Sequence, residues 1–385
     1  MFLLLSAALA DCVILVGGLV YIDGEPVEQN LILQDGRVVA DSGGEACDSI
    51  EVQGKHITPG LIDPATSLGM TEVGMEHGGN GHGDGPAYRV VDGYNPRSTL
   101  IPVARMGGVT SAITLPGGRG IGAFVDLTGD TQSEALVDAD VTMVIGGIGG
   151  NTAKALYQLR LLLDEARRYK GTWDSTHFTH PEADLKALQP VLRRELPLLV
   201  SVERASDIEA LLRFVDEQKV DVVLRGASES WMLAEELASR DIPVILNSVV
   251  YGPGSFDQIH ARADAASILD AAGVTVMFSS FSAHNPRELT QFAGNAVRDG
   301  LPHAAGIRAI TANPAQAFGL TGYGSLQPGS VANVVVWSGD PLELTSSVEQ
   351  VWIRGEAQPL RSRQTELRDR YMELPGSPVE PLSLD

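Results

Sequence analysis

Hydrophobic and polar residues follow two alternating patterns through most of the chain. Short runs rich in Val, Ile and Leu predict buried strands, and most are followed by a stretch whose apolar positions recur every three or four residues, which predicts an amphipathic helix. The strand-like runs are 109–115, 141–145, 198–202, 220–224, 244–247 and 274–279, and the helix-like stretches are 96–106, 151–169, 181–196, 206–215, 228–239, 261–272 and 285–299. Such alternation predicts a parallel sheet, and its repetition is typical of a (β/α)₈ barrel.

The first part of the chain has short strand patterns without helices between them. Between residues 11 and 56, apolar runs are separated by turn signals, of which Asp35-Gly36 is a strong hairpin signal. A single apolar run follows, in the segment ITPGLIDPATSLGM at 57–70. We expect its residues 57–62 to form the first barrel strand and Asp63 to lie at the carboxyl edge, where barrels place their chemistry.

This segment resembles the first barrel strand of the amidohydrolase superfamily, and of the imidazolonepropionase-like amidohydrolases in particular. Near the other end, AGIRAITANPAQAFGL and GSLQPGSVANVVVWSGDPLE resemble the same family's final helix and its return to a β domain. The resemblance implies an α/β fold, with a (β/α)₈ TIM-like barrel at 57–325. It also implies a small β-sandwich domain built from both chain ends, 11–56 and 326–358, followed by a C-terminal tail at 359–385.

Family members bind one or two metal ions at the barrel mouth, zinc being the norm, and the metal activates a water molecule. The positions that match the family's ligands hold other residues in this chain: Ala65, Ser67, Ser201, Arg225 and Phe281. Glu203 is the alternative match to Ser201 on the same strand. Alanine and phenylalanine have no donor atoms, and arginine is a fixed cation that repels a metal. We therefore expect no metal cofactor at the family site.

Polar residues remain at or just past the predicted strand ends: Glu203, Arg225, Glu229, Ser279, Ser280, His284 and Asn285. We expect Arg225 to enter the barrel mouth and to pair either with a carboxylate, Glu203 first, or with an anionic ligand, because a lone buried guanidinium is costly. A purely structural pair is the alternative to a ligand-binding role. Asn285 is expected to cap the helix that follows it.

A glycine-rich loop after the first strand contains His77, His82 and Asp84. These three side chains are an alternative metal site, although a solvated loop is the interpretation that we favour.

The net charge and the N-terminal sequence bear on the partners and the location of the protein. The net charge of −21 argues against nucleic-acid binding, which requires a basic surface. The N-terminal run ending in Ala8-Leu9-Ala10 predicts a signal segment at 1–10, and hence a periplasmic or secreted protein, with the cytoplasm as the alternative. No other run is long and apolar enough to predict a transmembrane segment.

In an exported protein, Cys12 and Cys47 are expected to pair, unpaired core thiols being the alternative.

Two functions follow from these observations. The leading hypothesis is a pseudoenzyme of the amidohydrolase fold, or at least a member that is not a metallohydrolase. It would bind a small-molecule ligand, or be oligomeric or paired with an active relative. The alternative is a hydrolase that cleaves carbon–nitrogen bonds of cyclic amide or peptide-like substrates through an atypical site. The alternative rests on fold analogy, because fold alone does not determine function.

Overall fold

A computed structural model describes residues 12–44, 46–72, 82–247 and 253–372 of the chain. The predicted signal segment at 1–10 and His77 lie outside these residues. The strands are β1 (Cys12–Ile22), β2 (Glu25–Gln34), β3 (Arg37–Val39), β4 (Asp48–Glu51), β5 (His56–Pro59), β6 (Leu61–Thr66), β7 (Asp84–Arg89), β8 (Val109–Thr114), β9 (Arg119–Asp126), β10 (Leu136–Gly147), β11 (Leu198–Val202), β12 (Val222–Gly226), β13 (Val244–Leu246), β14 (Val276–Phe278), β15 (Val334–Trp337), β16 (Val348–Ile353) and β17 (Glu356–Ala357). The α-helices are α1 (Ile101–Met106), α2 (Gln132–Ala135), α3 (Thr152–Arg168), α4 (Glu182–Ala187), α5 (Gln189–Leu192), α6 (Ala205–Gln218), α7 (Ala234–Ala238), α8 (Ala265–Ala271), α9 (Leu289–Arg298), α10 (His303–Ala309), α11 (Ala312–Ala317) and α12 (Arg363–Met372).

One sheet joins strands from both ends of the described chain. Its order is β17-β16-β15-β5-β1-β2-β3, and β4 pairs with β1. The C-terminal strand β15 lies antiparallel to β5, with Val335 opposite Thr58. Cys12 at the start of β1 forms a disulfide with Cys47, and their Cα atoms are 4.6 Å apart. This bond closes the loop that carries β2 and β3.

The second sheet is a nearly closed barrel with the order β14-β13-β12-β11-β10-β9-β8-β6. Strands β10 to β14 run parallel to one another, and β6 is parallel to β8. At the seam between the first and last strands, the Thr66 hydroxyl donates to the Ser282 carbonyl oxygen at 2.8 Å. The predicted α/β class with a TIM-like barrel is confirmed, together with a separate sheet.

Strand β9 departs from a regular (β/α)₈ pattern. It lies antiparallel to both of its neighbours, β8 and β10, so that β8 and β9 form a hairpin. The sequence pattern did not predict this strand, because its two glycines, Gly120 and Gly122, follow directly on the turn at Pro116-Gly117-Gly118. Two of the barrel's connections are therefore made without a helix of the expected length.

The apolar run at 57–62 is divided between the two sheets, which corrects the single strand expected from the sequence. Residues His56–Pro59 pair with β1 and β15, and Leu61–Thr66 is the first barrel strand. The division falls at Gly60, where a Cβ atom would lie 2.0 Å from the Thr110 hydroxyl oxygen. Glycine therefore allows the chain to pass from one sheet to the other against β8.

The predicted helices are present, with some changes of boundary. Helix α3 is capped by Asn151, whose side-chain oxygen accepts from the Lys154 N–H at 3.1 Å. The stretch 181–196 forms two short helices, α4 and α5, instead of one. Helix α12 lies in the segment expected to be a tail. Among the described helices, none has both the length and the apolar composition needed to cross a bilayer.

Candidate functional site

The barrel strands place alternate residues inside the barrel and against the surrounding helices. Leu199, Val223, Ile245 and Met277 belong to one buried cluster inside the barrel, whereas Leu198, Leu224 and Phe278 belong to the larger outer core. The same alternation places Ser201, Arg225 and Ser279 inside, one step nearer the carboxyl ends of their strands. Ser201 is the register partner of Arg225 on the neighbouring strand. These residues form the barrel mouth.

Asp63 connects the first barrel strand to the segment after the last one. Its side chain has 0% exposure and accepts hydrogen bonds from the hydroxyls of Ser279 at 2.5 Å and Ser280 at 2.6 Å. The Ala65 N–H also donates to this carboxylate, at 3.2 Å. Burial raises the pKa of Asp63 against the lowering effect of these hydrogen bonds. Ser280, a predicted pocket residue, thus contacts Asp63 and helps to close the barrel.

Arg225 lies over the ring of Phe281, with 4.7 Å between the guanidinium carbon and the ring centroid. The side chain is half-buried, and burial lowers its pKa, while the charges of Asp63 and then Glu203 act in the opposite direction. No residue in the described ranges forms a hydrogen bond or an ion pair with this guanidinium. The structure therefore lacks the ion pair that the sequence predicted between Arg225 and Glu203, both of which lie in the described ranges.

Glu203 is occupied by the turn after β12 instead. Its Oε2 atom accepts from the N–H and the hydroxyl of Ser228, at 3.1 and 2.5 Å. Gly226 makes room for this arrangement, because it has a φ of 86° and a Cβ atom there would lie 2.2 Å from Glu203 Oε1. The carboxylate is thereby turned toward Ser228 and away from the guanidinium.

Glu229 has a structural role, because its carboxylate joins three loops. It is 2% exposed, and its two oxygens accept from the N–H groups of Ala205 at 2.9 Å and His260 at 3.0 Å. These bonds tie the loops after β11, β12 and β13 together.

His284 and Asn285 lie on the rim. The His284 side chain is exposed, and the backbone N–H of His284 donates to the Ser282 hydroxyl at 3.1 Å. Asn285 precedes the short 3₁₀ turn Pro286–Glu288, but its side chain makes no capping hydrogen bond. Asn285 therefore occupies the N-cap position of this turn, as expected, without the side-chain hydrogen bond of a cap.

Phe281 has an unusual backbone conformation for an aromatic residue. Its φ is 53°, in the left-handed region that bulky side chains rarely adopt. The Phe281 N–H donates to the Ser279 hydroxyl at 3.1 Å, which fixes the turn after β14. Backbone conformations of this kind are held only where the surrounding structure determines them, and they cluster at functional sites.

A cavity of about 150 Å³ opens beside Phe281. Its lining includes Glu203, Ser228, Asn247, Phe278 and Phe281. Leu246, Phe278 and Ala266, which also line it, belong to the outer core, so the cavity lies between the carboxyl ends of these strands and helix α8. Arg225 is not among its lining residues.

Metal-ligating side chains do not cluster in the described ranges, where no three His, Cys, Asp or Glu residues are placed to hold one ion. Ala65 is fully buried in the barrel interior and Ser67 is half-buried beyond it. His82 and Asp84 are both exposed. His77, their proposed companion, lies outside the described residues.

Comparison with known proteins finds a family match in the C-terminal part of the chain. Residues 271–357, which include β14 and the return to the first sheet, match the model of the Amidohydrolase family. The chain carries an amidohydrolase-family domain. The curated protein amidohydrolase tasK of Hapsidospora irregularis is 21% identical over 388 residues, which cover 86% of this chain and 39% of that protein. The chain thus spans about two fifths of the length of that relative.

Solved structures extend the likeness in fold along the chain. The amidohydrolase of Thermotoga maritima MSB8 superposes with a TM-score of 0.81 at 22% identity, covering 91% of this chain and 100% of its own. A structure of molinate hydrolase gives a TM-score of 0.56 at 16% identity, with 91% and 95% covered. At these identities the similarity establishes the fold. The amidohydrolase-family domain therefore belongs to a chain with an amidohydrolase-like fold over most of its length.

Proposed function

We propose that this amidohydrolase-family chain binds a small molecule at its barrel mouth and does not carry out zinc-dependent hydrolysis of the family's kind. The chemistry of the side chains at the positions that match the family's ligands supports this proposal. Ala65 and Phe281 provide no donor, Ser67 and Ser201 provide weak neutral oxygens, and Arg225 provides a fixed positive charge. Zinc takes imidazole, thiolate or carboxylate donors, so this set does not fit the ion.

Hydrolysis of carbon–nitrogen bonds is the second candidate. The amidohydrolase-family match over residues 271–357 and the relative named as an amidohydrolase both favour this reaction class. The substrate would be a cyclic amide or a peptide-like compound, and the reaction would use an atypical site. It would run without zinc at the barrel mouth.

Metal content decides between these candidates and the family mechanism. The protein is purified without chelator, analysed for zinc and other divalent metals, and assayed for hydrolysis of cyclic amides and N-acyl amino acids with and without added zinc. We expect substoichiometric zinc and no zinc-dependent turnover. Turnover that does not change with added zinc or with chelator would make the second candidate the function.

Variants locate any zinc that is found. Near-stoichiometric zinc that is lost in Glu203→Gln or Ser67→Ala would overturn the proposal, because it would place a metal at the barrel mouth. Zinc lost in His82→Ala, but retained in Glu203→Gln, would place the metal in the glycine-rich loop and would favour the enzyme. The Asp130→Asn variant, at an exposed side chain, is the matched control.

Export and pairing with an active relative are further parts of the proposal. The Cys12–Cys47 disulfide supports export, because disulfides persist in oxidising compartments. Fractionation of cells that express the whole coding sequence tests the location. Size-exclusion chromatography with light scattering tests whether the protein is an oligomer.

A further inference from the structure

Arg105, near the end of α1, is a half-buried arginine without a counter-charge. Its Nη1 atom donates to Gln358 Oε1 at 2.8 Å, whereas its Nε atom is buried and has no hydrogen-bond partner among the described residues. Burial lowers the pKa of Arg105, and no carboxylate in the described ranges raises it. A cation at such a depth is costly unless an opposite charge compensates it. The described part of the chain provides Arg105 with no such charge.

Other arginines of similar burial have ion pairs. Arg160, Arg240 and Arg354 are 35%, 32% and 38% exposed, and each lies within 3.0 Å of a carboxylate oxygen. Arg225 has no ion pair in the described ranges either, but the charges of two nearby carboxylates raise its pKa. The chain has 49 acidic and 28 basic residues, so carboxylates are plentiful, and their absence around Arg105 is a property of this place in the fold.

Arg105 lines an open cavity of about 700 Å³ between the barrel and the first sheet. Arg97 and Arg354 also line it, so guanidinium groups from three separate segments surround one space. Leu127, another lining residue, donates its N–H to the Thr110 carbonyl oxygen at 2.8 Å. The cavity therefore lies beside the amino end of β8, away from the barrel mouth.

Three carboxylates share this lining: Asp130, Glu134 and Glu356. Asp130 lies 4.0 Å from Arg97, and Glu134 accepts from two N–H groups of the turn before α2, at 2.8 and 2.9 Å. Glu356 is exposed. Because none of the three raises the pKa of Arg105, the part of the cavity at Arg105 keeps its positive charge.

We propose that this cavity binds a phosphate group, either free phosphate or that of a small phosphate ester, through Arg105. A tetrahedral phosphate presents oxygens in several directions and can accept from arginines on separate segments, whereas a carboxylate presents two oxygens in one plane. Gln358 holds Arg105, and Asp126 holds the Nε atom of Arg354 at 2.6 Å, so both side chains are fixed before a ligand binds. The volume, that of roughly twenty water molecules, leaves room for the rest of an ester.

This site is separate from the barrel mouth, and its existence does not depend on the proposed function. The net charge of −21 disfavours non-specific association with anions. Saturable binding of one phosphate per chain would therefore report a local positive site.

Isothermal titration calorimetry at constant ionic strength tests the proposal with three probes: inorganic phosphate, glycerol 3-phosphate and acetate. We expect one phosphate compound to bind per chain, more tightly than acetate. Glycerol 3-phosphate that binds more tightly than inorganic phosphate would identify the ligand as an ester, and the reverse order would identify it as the free ion.

Variants locate the binding site. Arg105→Gln should weaken phosphate binding by about tenfold or more, the usual effect of losing hydrogen bonds to a charged group. Arg105→Lys keeps the charge without the planar donors and should weaken binding less. Arg97→Gln should have the smallest effect, because that side chain is 69% exposed. Arg213→Gln is the matched control, since Arg213 is 70% exposed on helix α6 and the variant makes the same charge change.

Wild-type protein that binds neither phosphate compound, or phosphate binding that is the same in Arg105→Gln and Arg213→Gln, would overturn the proposal. Acetate that binds as tightly as phosphate would overturn the assignment of a phosphate group. If Arg105→Gln does not fold, Arg105→Lys decides, and unchanged phosphate affinity in that variant would count against the site.

Discussion

At the scale of single residues, Asp63 has the largest structural role at the barrel mouth. It is the acceptor for Ser279 and Ser280, and so it joins the first and last strands of the barrel. The sequence places Ser279 and Ser280 at the end of the last apolar run, but it does not indicate that Asp63 is their hydrogen-bond partner. Such a pairing depends on barrel closure, which brings together residues more than two hundred positions apart.

We expect Asp63→Ala to lower the free energy of unfolding by about 2–4 kcal/mol, because several buried donors lose their acceptor together. Asp63→Asn should cost less, since its carbonyl oxygen still accepts from one serine. Urea denaturation of both variants measures the difference. The control is Asp130→Ala, at a side chain that is 83% exposed. Equal stability of the wild type and Asp63→Ala would contradict the assigned role.

His303 provides a second residue-scale prediction, which concerns pH. Its Nε2 atom lies 2.9 Å from Asp340, and this hydrogen bond raises the pKa of His303 above its ordinary value of 6.5. Folding therefore favours the protonated form. The stabilisation is complete below the unfolded pKa and is lost as the pH rises through the folded pKa.

The measurement is the difference in unfolding free energy between the wild type and His303→Gln, from pH 5 to pH 8. We expect the difference to shrink as the pH rises. Neighbouring His56, which bonds Tyr21, has a pKa lowered mainly by burial, so its own effect has the opposite sign. Because the charge of His303 also lowers the pKa of His56, the comparison is repeated in a His56→Gln background, where only His303 differs. A difference that is constant across this range would show that His303 does not gain a proton on folding.

At the scale of elements, the Cys12–Cys47 disulfide fixes β1 against the segment that leads to β4. It closes a loop over a sequence separation of 35 residues. Closure of a loop of this length stabilises by roughly 3–4 kcal/mol in the chain-entropy model. We expect the double variant Cys12→Ala, Cys47→Ala to unfold at correspondingly lower urea concentration. Reductant should destabilise the wild type and leave the double variant unchanged; a wild type indifferent to reductant would contradict the prediction.

The elements also show which parts of the fold local sequence patterns can predict. The patterns identified the helices with strong periodicity, such as α3 with its Asn151 cap, because the cap and the apolar face are both local. They did not identify β9, whose glycines resemble those of a turn. They also did not divide the run at Gly60, because the close approach of Thr110 is a tertiary contact. The ion pair expected between Arg225 and Glu203 depends on the direction of the Glu203 side chain, which bonds Ser228 in the turn that contains Gly226.

At the scale of the whole molecule, a buried polar network connects the barrel to the first sheet. Asp126, at the end of β9, has 0% exposure and accepts from Ser111 on β8 at 2.8 Å. From the other sheet, Asn333 donates to Asp126 at 3.0 Å and Arg354 at 2.6 Å. The Tyr323 hydroxyl donates to the same carboxylate at 2.9 Å. One carboxylate therefore organises groups from both sheets.

We expect this network to make the two sheets unfold together. Asp126→Ala leaves Ser111 without its carboxylate acceptor, removes one of the two acceptors of the Asn333 amide group and leaves Arg354 without its counter-charge. Removal of one partner from a buried pair costs about 3–5 kcal/mol, and the partial exposure of Arg354 places the expected loss at about 2–4 kcal/mol. Calorimetry should show one unfolding transition for the wild type and a broadened or divided transition for Asp126→Ala. Asp140→Ala removes a comparable ion pair with Arg89 at an exposed site, and it should retain a single transition with little loss of stability. If Asp126→Ala instead unfolds in one sharp transition at the wild-type temperature, apolar packing alone couples the sheets, and the polar network is not what holds them together.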